Sequence, residues 1–580
     1  MYDFIMSSRY NHNQETTHRS IIPCVASKLL VLVCDYVPGL SSYFFWNHEI
    51  DALKNRSFKE DMTITPLPLP KEVFGIEEPM KIDGLEIFDH KNKEYNPIPE
   101  KQKFLCARDF TEAYSARRIT PTQVCEKLID NINQSCSEAC DPPLYGMYQY
   151  HQDDIMAQAE ASTTRYIQEQ SLGPLDGVPV AIKDELDVEG YETQLGTSFF
   201  NRGNPASRDA FLIKKLKDQG AIIIGKTNMG FGITTSNPNM HITRNPYNSD
   251  HYCGGSSGGS ACVVSSGLCP IAIGCDAGGS IRIPSSFCGI YGLKPTYGRI
   301  SSTGDFQLCN SVGVAGPMAA CVDDLALTYY AVAGQDAEDP KTLFQPSPTL
   351  HGIHHTNTLS DLKIGIFSEW NKQVVDPAIT YALQTFINEF KLRGAEFIEI
   401  DIPELEDARI AHLITVTSEF CTTMNGYKKY LHLLSPLNIV NIATYNNMNA
   451  SDYIKAQHVR TRMMRNISVI FSGVNLILTP TCAITAPPIC PRALKYSGIG
   501  EIDSSVTSNG MMYTHLANFI GIPAITIPAG YNDKDLPIGL QFMAKWYDEA
   551  MLLRIAKASE EILGCKRRKP SEKYWFGDLL

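Results

Sequence analysis

The spacing of apolar residues changes along the chain, and the changes mark where elements begin and end. After Thr120-Pro121-Thr122-Gln123, the residues Val124, Leu128, Ile129 and Ile132 recur at helical spacing. Thr120 is placed to cap this helix, Pro121 to take its first position and Gln123 to complete a capping box. Val178–Ile182 is instead a continuous apolar run, short enough for a buried strand. A helix over Asp209–Gln219, closed by Gly220, and a strand over Ala221–Ile224 follow. The alternation continues with helix Ser257–Ser266, Gly267 and strand Pro270–Gly274. Later come strand Lys363–Phe367, helix Thr380–Leu392, Gly394, strand Glu396–Ile400, helix Asp452–Phe471 and strand Asn475–Leu478. This order predicts an α/β fold around a largely buried, mixed sheet. No repeat of solenoid or propeller period occurs.

The amino-terminal part has a different texture. Residues 1–20 are polar and rich in His and Asn, and are expected to be disordered. Residues 21–103 join an apolar segment to a connector containing Thr65-Pro-Leu-Pro-Leu-Pro70, expected to run as an extended strap over a body spanning 104–570. The polar opening does not read as a signal peptide. Leu29-Leu-Val-Leu-Val-Cys34 is bounded by Lys28, Asp35 and Pro38, too few apolar residues to span a bilayer of about 30 Å. With Tyr43-Phe44-Phe45-Trp46, the segment Leu29–Trp46 is suited either to a membrane interface or to packing on the protein's own surface.

Composition narrows the class. Hydrophobic residues at 43% and charged residues at 20% speak against wholesale disorder and against a membrane bundle. A net charge of -12 argues against nucleic acid as the main partner. The 17 cysteines, spread from Cys24 to Cys565 without paired CxxC motifs, point to a reduced, intracellular protein. Cys136 and Cys140 lie one helical turn apart, but no nearby His joins them, so they are read as ordinary thiols and no metal is expected.

The stretch Cys253–Thr296 is dense in glycine and serine, with Gly254-Gly255-Ser256-Ser257-Gly258-Gly259 and Gly278-Gly279-Ser280 as its two clusters. The first formally matches the nucleophile elbow G-x-S-x-G, which needs a strand directly before it, whereas Arg244–Asp250 reads as turn. No phosphate-binding glycine loop is present. Ser280 follows a predicted strand and the turn Asp276-Ala277-Gly278-Gly279, so the N–H groups of Ala277, Gly278, Gly279 and Ser280 are expected to converge as an oxyanion hole. One such donor is worth about 3 to 4 kcal/mol in a transition state. The serine needs a base. Lys183, closing the apolar strand, can serve if burial or a positive neighbour lowers its pKa from about 10.4; otherwise it is a surface lysine paired with Asp184.

Gly177-Val-Pro-Val-Ala-Ile-Lys183-Asp184, Gly225-Lys-Thr-Asn228, Gly254-Gly-Ser256-Ser257-Gly-Gly-Ser260 and Asp276-Ala-Gly-Gly-Ser280-Ile-Arg282-Ile-Pro284 together resemble the amidase signature family. The resemblance implies a single large domain, its twisted mixed sheet covered by helices on both faces, with no cofactor. It also implies a triad in which Ser280 attacks an amide carbonyl, Ser256 relays the proton and Lys183 is the base, with a cis peptide before Ser256. Ser257, Asp276 and Arg282 would support the loop, the last two as an ion pair. Cys275 stands where many members carry a hydroxyl residue, which would remove a hydrogen bond near the triad.

Within the family, Ile402-Pro-Glu-Leu-Glu-Asp-Ala-Arg-Ile-Ala-His412, Ala450-Ser-Asp-Tyr-Ile-Lys-Ala-Gln457 and the amino-terminal apolar segment are similar to plant-type fatty acid amide hydrolases. That likeness implies N-acylethanolamines and related lipid amides as substrates, split to fatty acid and amine. Met229, Phe231 and Ile233 are then candidates for an acyl channel, with core packing as the other explanation. It further implies a cytoplasmic enzyme or one peripheral on the endoplasmic reticulum, touching membrane through Leu29–Trp46. A homodimer is compatible with a family that includes dimers. The rivals are a short-chain general amidase, a glutamine-hydrolysing subunit of a transamidosome, which normally lacks the long amino-terminal extension, and a scaffold that has lost its triad. The presence of all three triad positions argues against the scaffold.

Overall fold

The computed structural model describes residues 53, 62–67, 104–232, 241–434, 436–446, 448–489 and 509–580. The expectations for residues 1–20, for Leu29–Trp46 and for Ile233 fall outside them. In chain order the strands are β1 (Met147–Gln149), β2 (Pro179–Lys183), β3 (Ile222–Thr227), β4 (Arg244–Asn245), β5 (Asn248–Tyr252), β6 (Ile271–Asp276), β7 (Tyr291–Lys294), β8 (Val314–Ala319), β9 (Lys363–Ile366), β10 (Glu396–Glu399), β11 (Leu476–Pro480), β12 (Ala524–Tyr531) and β13 (Pro537–Ala544). Among the described residues, 11 of them form one mixed sheet in the order β1-β3-β2-β6-β8-β7-β12-β13-β11-β9-β10, while β4 and β5 form a separate hairpin.

Alternation along the central strands builds two cores. Leu476, Leu478, Ile525 and Phe542 face one, which the helices Pro377–Leu392 and Glu549–Leu563 cover with Phe386, Leu552 and Ile555. Ile477, Ala524 and Met543 face the other, beneath helices Leu405–Met424, Ala450–Ile470 and His515–Ile520. The fold is therefore α/β, a large mixed sheet with helices on both faces. Among the described residues no helix is long and apolar enough to cross a membrane.

The capped helix forms at Pro121–Ser135: the Thr120 hydroxyl accepts the Gln123 N–H, and Gln123 Oε1 accepts the Thr120 N–H. Val124, Leu128, Ile129 and Ile132 are its buried face. The described piece of the strap crosses helix Ala450–Ile470, with the Thr63 N–H donating to Gln457 O at 3.3 Å and Pro66 packed on Gly521. Two expectations are corrected. The segment before the first glycine cluster is the hairpin β4–β5, whose second strand ends at Tyr252, yet it lies outside the main sheet and so is not the strand of a nucleophile elbow. Strands β7, β8 and β12, unpredicted, sit at the centre of the sheet although Gly292, Gly316, Pro317 and Pro528 punctuate them. Their pairing on both sides overrides local turn preference, and Pro528 falls where the β12–β13 register shifts.

Candidate active site

Strands β2 and β6 are parallel neighbours, with Val180 opposite Ile271 and Ile182 opposite Ile273. Their carboxyl ends therefore open at the same edge, the place where open α/β sheets bind ligands. Lys183 ends β2 and Asp276 ends β6, so residues far apart in sequence meet there. The helix Gly258–Ser265 packs over β6 and brings Ser256 and Ser257 to the same edge. Ser257 Oγ donates to Cys275 O at 3.2 Å and accepts the Cys275 N–H at 3.3 Å, tying the first glycine cluster to β6. The density of glycine has a steric cause: a Cβ on Gly259 would lie 2.4 Å from Asn228 O, and one on Gly254, at φ 87°, would lie 2.7 Å from Pro284 Cα. The peptide between Gly255 and Ser256 is cis.

Lys183, Ser256 and Ser280 all line one cavity of about 130 Å³. Lys183 Nζ donates to Ser256 Oγ at 2.7 Å and to Cys275 O at 3.1 Å. It also makes an ion pair with Glu185 Oε2 at 2.6 Å. The expected alternative partner, Asp184, points elsewhere: it pairs with Lys226 at 3.4 Å and accepts the Gln194 and Gly196 N–H groups. The strand ends at Lys183 and the chain turns there, closed by the Leu186 N–H donating to Lys183 O at 3.2 Å, and within this turn Glu185 meets Lys183 while Asp184 does not. The expected lowering of the Lys183 pKa is corrected as well. Burial pulls it down, but the Glu185 carboxylate outweighs that and holds it above the ordinary lysine value.

The second cluster is held by Asp276. Its carboxylate accepts the Gly279 N–H at 2.6 Å, the Ile281 N–H at 3.1 Å and Arg282 Nε at 3.0 Å. Burial would raise this carboxyl, yet the charge and hydrogen bonds of Arg282 hold it well below the usual carboxylate range. Arg282, fully buried, also donates to Gln541 and Asn518. This geometry alters the expected oxyanion hole: the Gly279 N–H is committed to Asp276, and Gly279 does not line the cavity, whereas Ala277, Gly278 and Ser280 do. Cys275 contributes through its backbone carbonyl, which takes hydrogen bonds from Lys183 and Ser257 whatever the side chain. Burial, then the charges of Asp305 and Glu185, push its thiol far up.

Two of the channel candidates, Met229 and Phe231, are among the described residues, and neither lines the cavity. Both are buried; Phe231 packs in a cluster with the tilted rings of Phe200 and Phe420, at ring separations of 5.8 and 5.7 Å. The apolar wall is made instead by Ile283, Phe287, Leu308, Val416, Phe420 and Met511. His412 joins it, donating from Nε2 to Ala277 O at 2.9 Å, with its pKa lowered to about 4 by burial. His412, Val416 and Phe420 recur every four residues on helix Leu405–Met424, a stripe legible in the sequence as one helix face. What it faces was not legible. Of two further residues on the cavity wall, Glu185 had no sequence signal beyond its nearness to Lys183, and Asp305 had none.

The Amidase family pattern matches residues 130–553. A relative in Oryza sativa subsp. indica, "Fatty acid amide hydrolase", is 39% identical over 496 residues, covering 83% of this chain and 80% of that protein. A glutamyl-tRNA(Gln) amidotransferase subunit from Chloroflexus aggregans is 31% identical over 491 residues, covering 79% of this chain and 96% of that one. A solved structure described as a vestigial protein complex that reveals the origins of an s-triazine catabolic enzyme superposes with a TM-score of 0.71 at 28% identity, covering 80% of this chain and 100% of that chain. With the matched residues spanning Lys183, Ser256 and Ser280, the chain belongs to the amidase signature family and is an amidohydrolase.

Proposed function

We propose that the protein hydrolyses fatty acid amides, such as N-acylethanolamines, to fatty acid and amine through Ser280, Ser256 and Lys183. The observation that carries the chemistry is the 2.7 Å contact of Lys183 Nζ with Ser256 Oγ on the wall of a cavity that Ser280 also lines. In this reading Ser280 Oγ attacks the amide carbon and passes its proton to Ser256, whose own proton goes to Lys183. The N–H groups of Ala277, Gly278 and Ser280 remain as donors to the developing oxyanion. The tetrahedral intermediate then expels the amine, which takes a proton back along the relay, and water releases the acid from Ser280.

Two features support a lipid acyl group: the apolar wall around Val416, Phe420 and Phe287, and a fatty acid amide hydrolase relative at 39% identity, against 31% for the amidotransferase relative. The same reading gives Leu29–Trp46 a role at a membrane surface, where the substrate is dissolved. The test compares kcat/KM of the purified enzyme on acetamide and on a long-chain N-acylethanolamine. Each methylene buried in the transition state is worth about 0.8 kcal/mol, or about fourfold, so the long chain is expected to be strongly preferred. A strong preference for acetamide would refute the lipid assignment and leave the short-chain amidase.

A further inference from the structure

A lysine that takes a proton from Ser256 must present a lone pair to it, yet Lys183 is surrounded by acceptors: Ser256 Oγ, Cys275 O and Glu185 Oε2 at 2.7, 3.1 and 2.6 Å. An ammonium suits all three. A neutral amine suits only two as acceptors, and needs its third neighbour to be a donor. The nearest group able to change role is Glu185, and it has company. Glu185, Cys275 and Asp305 bring a carboxylate oxygen, a sulfur and a second carboxylate oxygen within 4.8 Å of one another. Backbone pairing holds them there: Leu186 bridges Asp305, and the Phe306 N–H donates to Glu185 O at 3.0 Å. Asp305 Oδ1 is buried and has no hydrogen-bond partner among the described residues.

We infer that Glu185 is a positioning residue that sets the protonation state of Lys183, with Asp305 limiting the cluster to a single negative charge; this rests on the proposed triad. At rest Lys183 is an ammonium, Glu185 a carboxylate and Asp305 a neutral acid. Burial, and after it the charge of Glu185, keeps the Asp305 proton in place. When an apolar acyl group fills the cavity and expels water, the charged pair loses solvation on both sides. The proton then moves from Lys183 Nζ to Glu185 Oε2: one N–H bond breaks, one O–H bond forms, and a charged pair becomes a neutral one. The amine then turns about its Cε–Nζ bond, so that the freed lone pair faces Ser256 Oγ and its two N–H groups face Cys275 O and Glu185, and it takes the Ser256 proton as Ser256 takes that of Ser280. When the C–N bond of the intermediate breaks, the leaving nitrogen receives a proton from Ser256, which is replenished from Lys183, and Glu185 returns its proton to restore the resting pair. The other titratable groups facing this cluster are the Cys275 and Cys309 thiols, Lys341 from the turn Pro340–Thr342, and the Lys226–Asp184 pair on the far side of β2.

The experiment follows the rate at which a fluorophosphonate inactivates the enzyme as a function of pH, which reads the nucleophile without any choice of amide. Glu185→Gln removes the internal acceptor of the Lys183 proton, which must then be lost to solvent before attack, so the acid limb of the profile is expected to move up by about one pH unit or more, tenfold in proton concentration. Glu185→Asp, its carboxylate one methylene farther away, should fall between Gln and wild type. Asp305→Asn should keep the limb near its wild-type position, because Asp305 is neutral there already. A folded Glu185→Gln enzyme with an unmoved limb overturns the inference. So does an Asp305→Asn limb displaced as far as that of Glu185→Gln, which would make Asp305 the charged partner. If Glu185→Gln does not fold by circular dichroism, Glu185→Asp decides alone: an upward shift supports the inference and an unmoved limb overturns it. Labelling that persists in Ser280→Ala overturns the triad and this inference together, whereas Ser280-dependent labelling with an unmoved limb overturns only the role of Glu185.

Discussion

Replacing Arg282 by Met should be among the most destabilising single changes available near the site, and the structure says by how much. Arg282 and Asp276 are both fully buried, with Nε to Oδ2 at 3.0 Å. At an effective dielectric of about 20 that separation corresponds to about 5 to 6 kcal/mol of attraction. Much of it compensates for the desolvation of both groups, so the net cost of removing one partner is about 3 to 5 kcal/mol. The loss also strips Gln541 and Asn518 of their donor. The sign of the pH dependence follows from Asp276, whose carboxyl is held well below its usual range despite burial, by Arg282. A depressed carboxyl contributes stability above its unfolded value, about 3.9, and loses it as pH falls toward the folded value. The gap between wild type and Arg282→Met should therefore be full at neutral pH and shrink below about pH 4. Urea midpoints across pH measure it, and the double variant with Asp276→Asn should recover about 2 kcal/mol or more relative to additivity. Additive losses, or a gap independent of pH, would refute the ion pair as the anchor of the loop that carries Ser280.

Phe420→Ala removes part of the apolar wall, and its loss of kcat/KM on a long-chain amide should exceed that on acetamide by about tenfold or more. Equal losses on both would mean that Phe420 matters only for packing against Phe231. Deleting residues 1–60 should weaken sedimentation with anionic liposomes, and unchanged binding would remove the membrane role of Leu29–Trp46.

Much of this protein was written in local signals. The cap at Thr120, the glycines closing helices at 220, 267 and 394, and the apolar runs of β2 and β3 each depend on neighbours a few residues away, so their positions were legible to within a few residues. The motif residues Lys183, Ser256 and Ser280 were identifiable because the family resemblance rests on short contiguous stretches, and the structure brings all three to one cavity. Strands β7, β8 and β12 were not legible, because glycine and proline within them read as turns until partner strands on both sides supply their pairing.

The site separates the two kinds of information further. Sequence alone determined which groups could act as nucleophile, relay and base, since that depends on residue type and on motif. Only the tertiary structure decided their surroundings: Glu185 instead of Asp184 beside Lys183, Asp305 arriving from a distant loop, the Gly279 N–H turned to Asp276, and an apolar wall built by Ile283, Phe287, Leu308, Val416, Phe420 and Met511 instead of by Met229 and Phe231. The reason is physical. A side chain's identity is carried in the sequence, but its charge state and the groups it meets depend on which distant elements share its face of the sheet, and those are set by long-range packing.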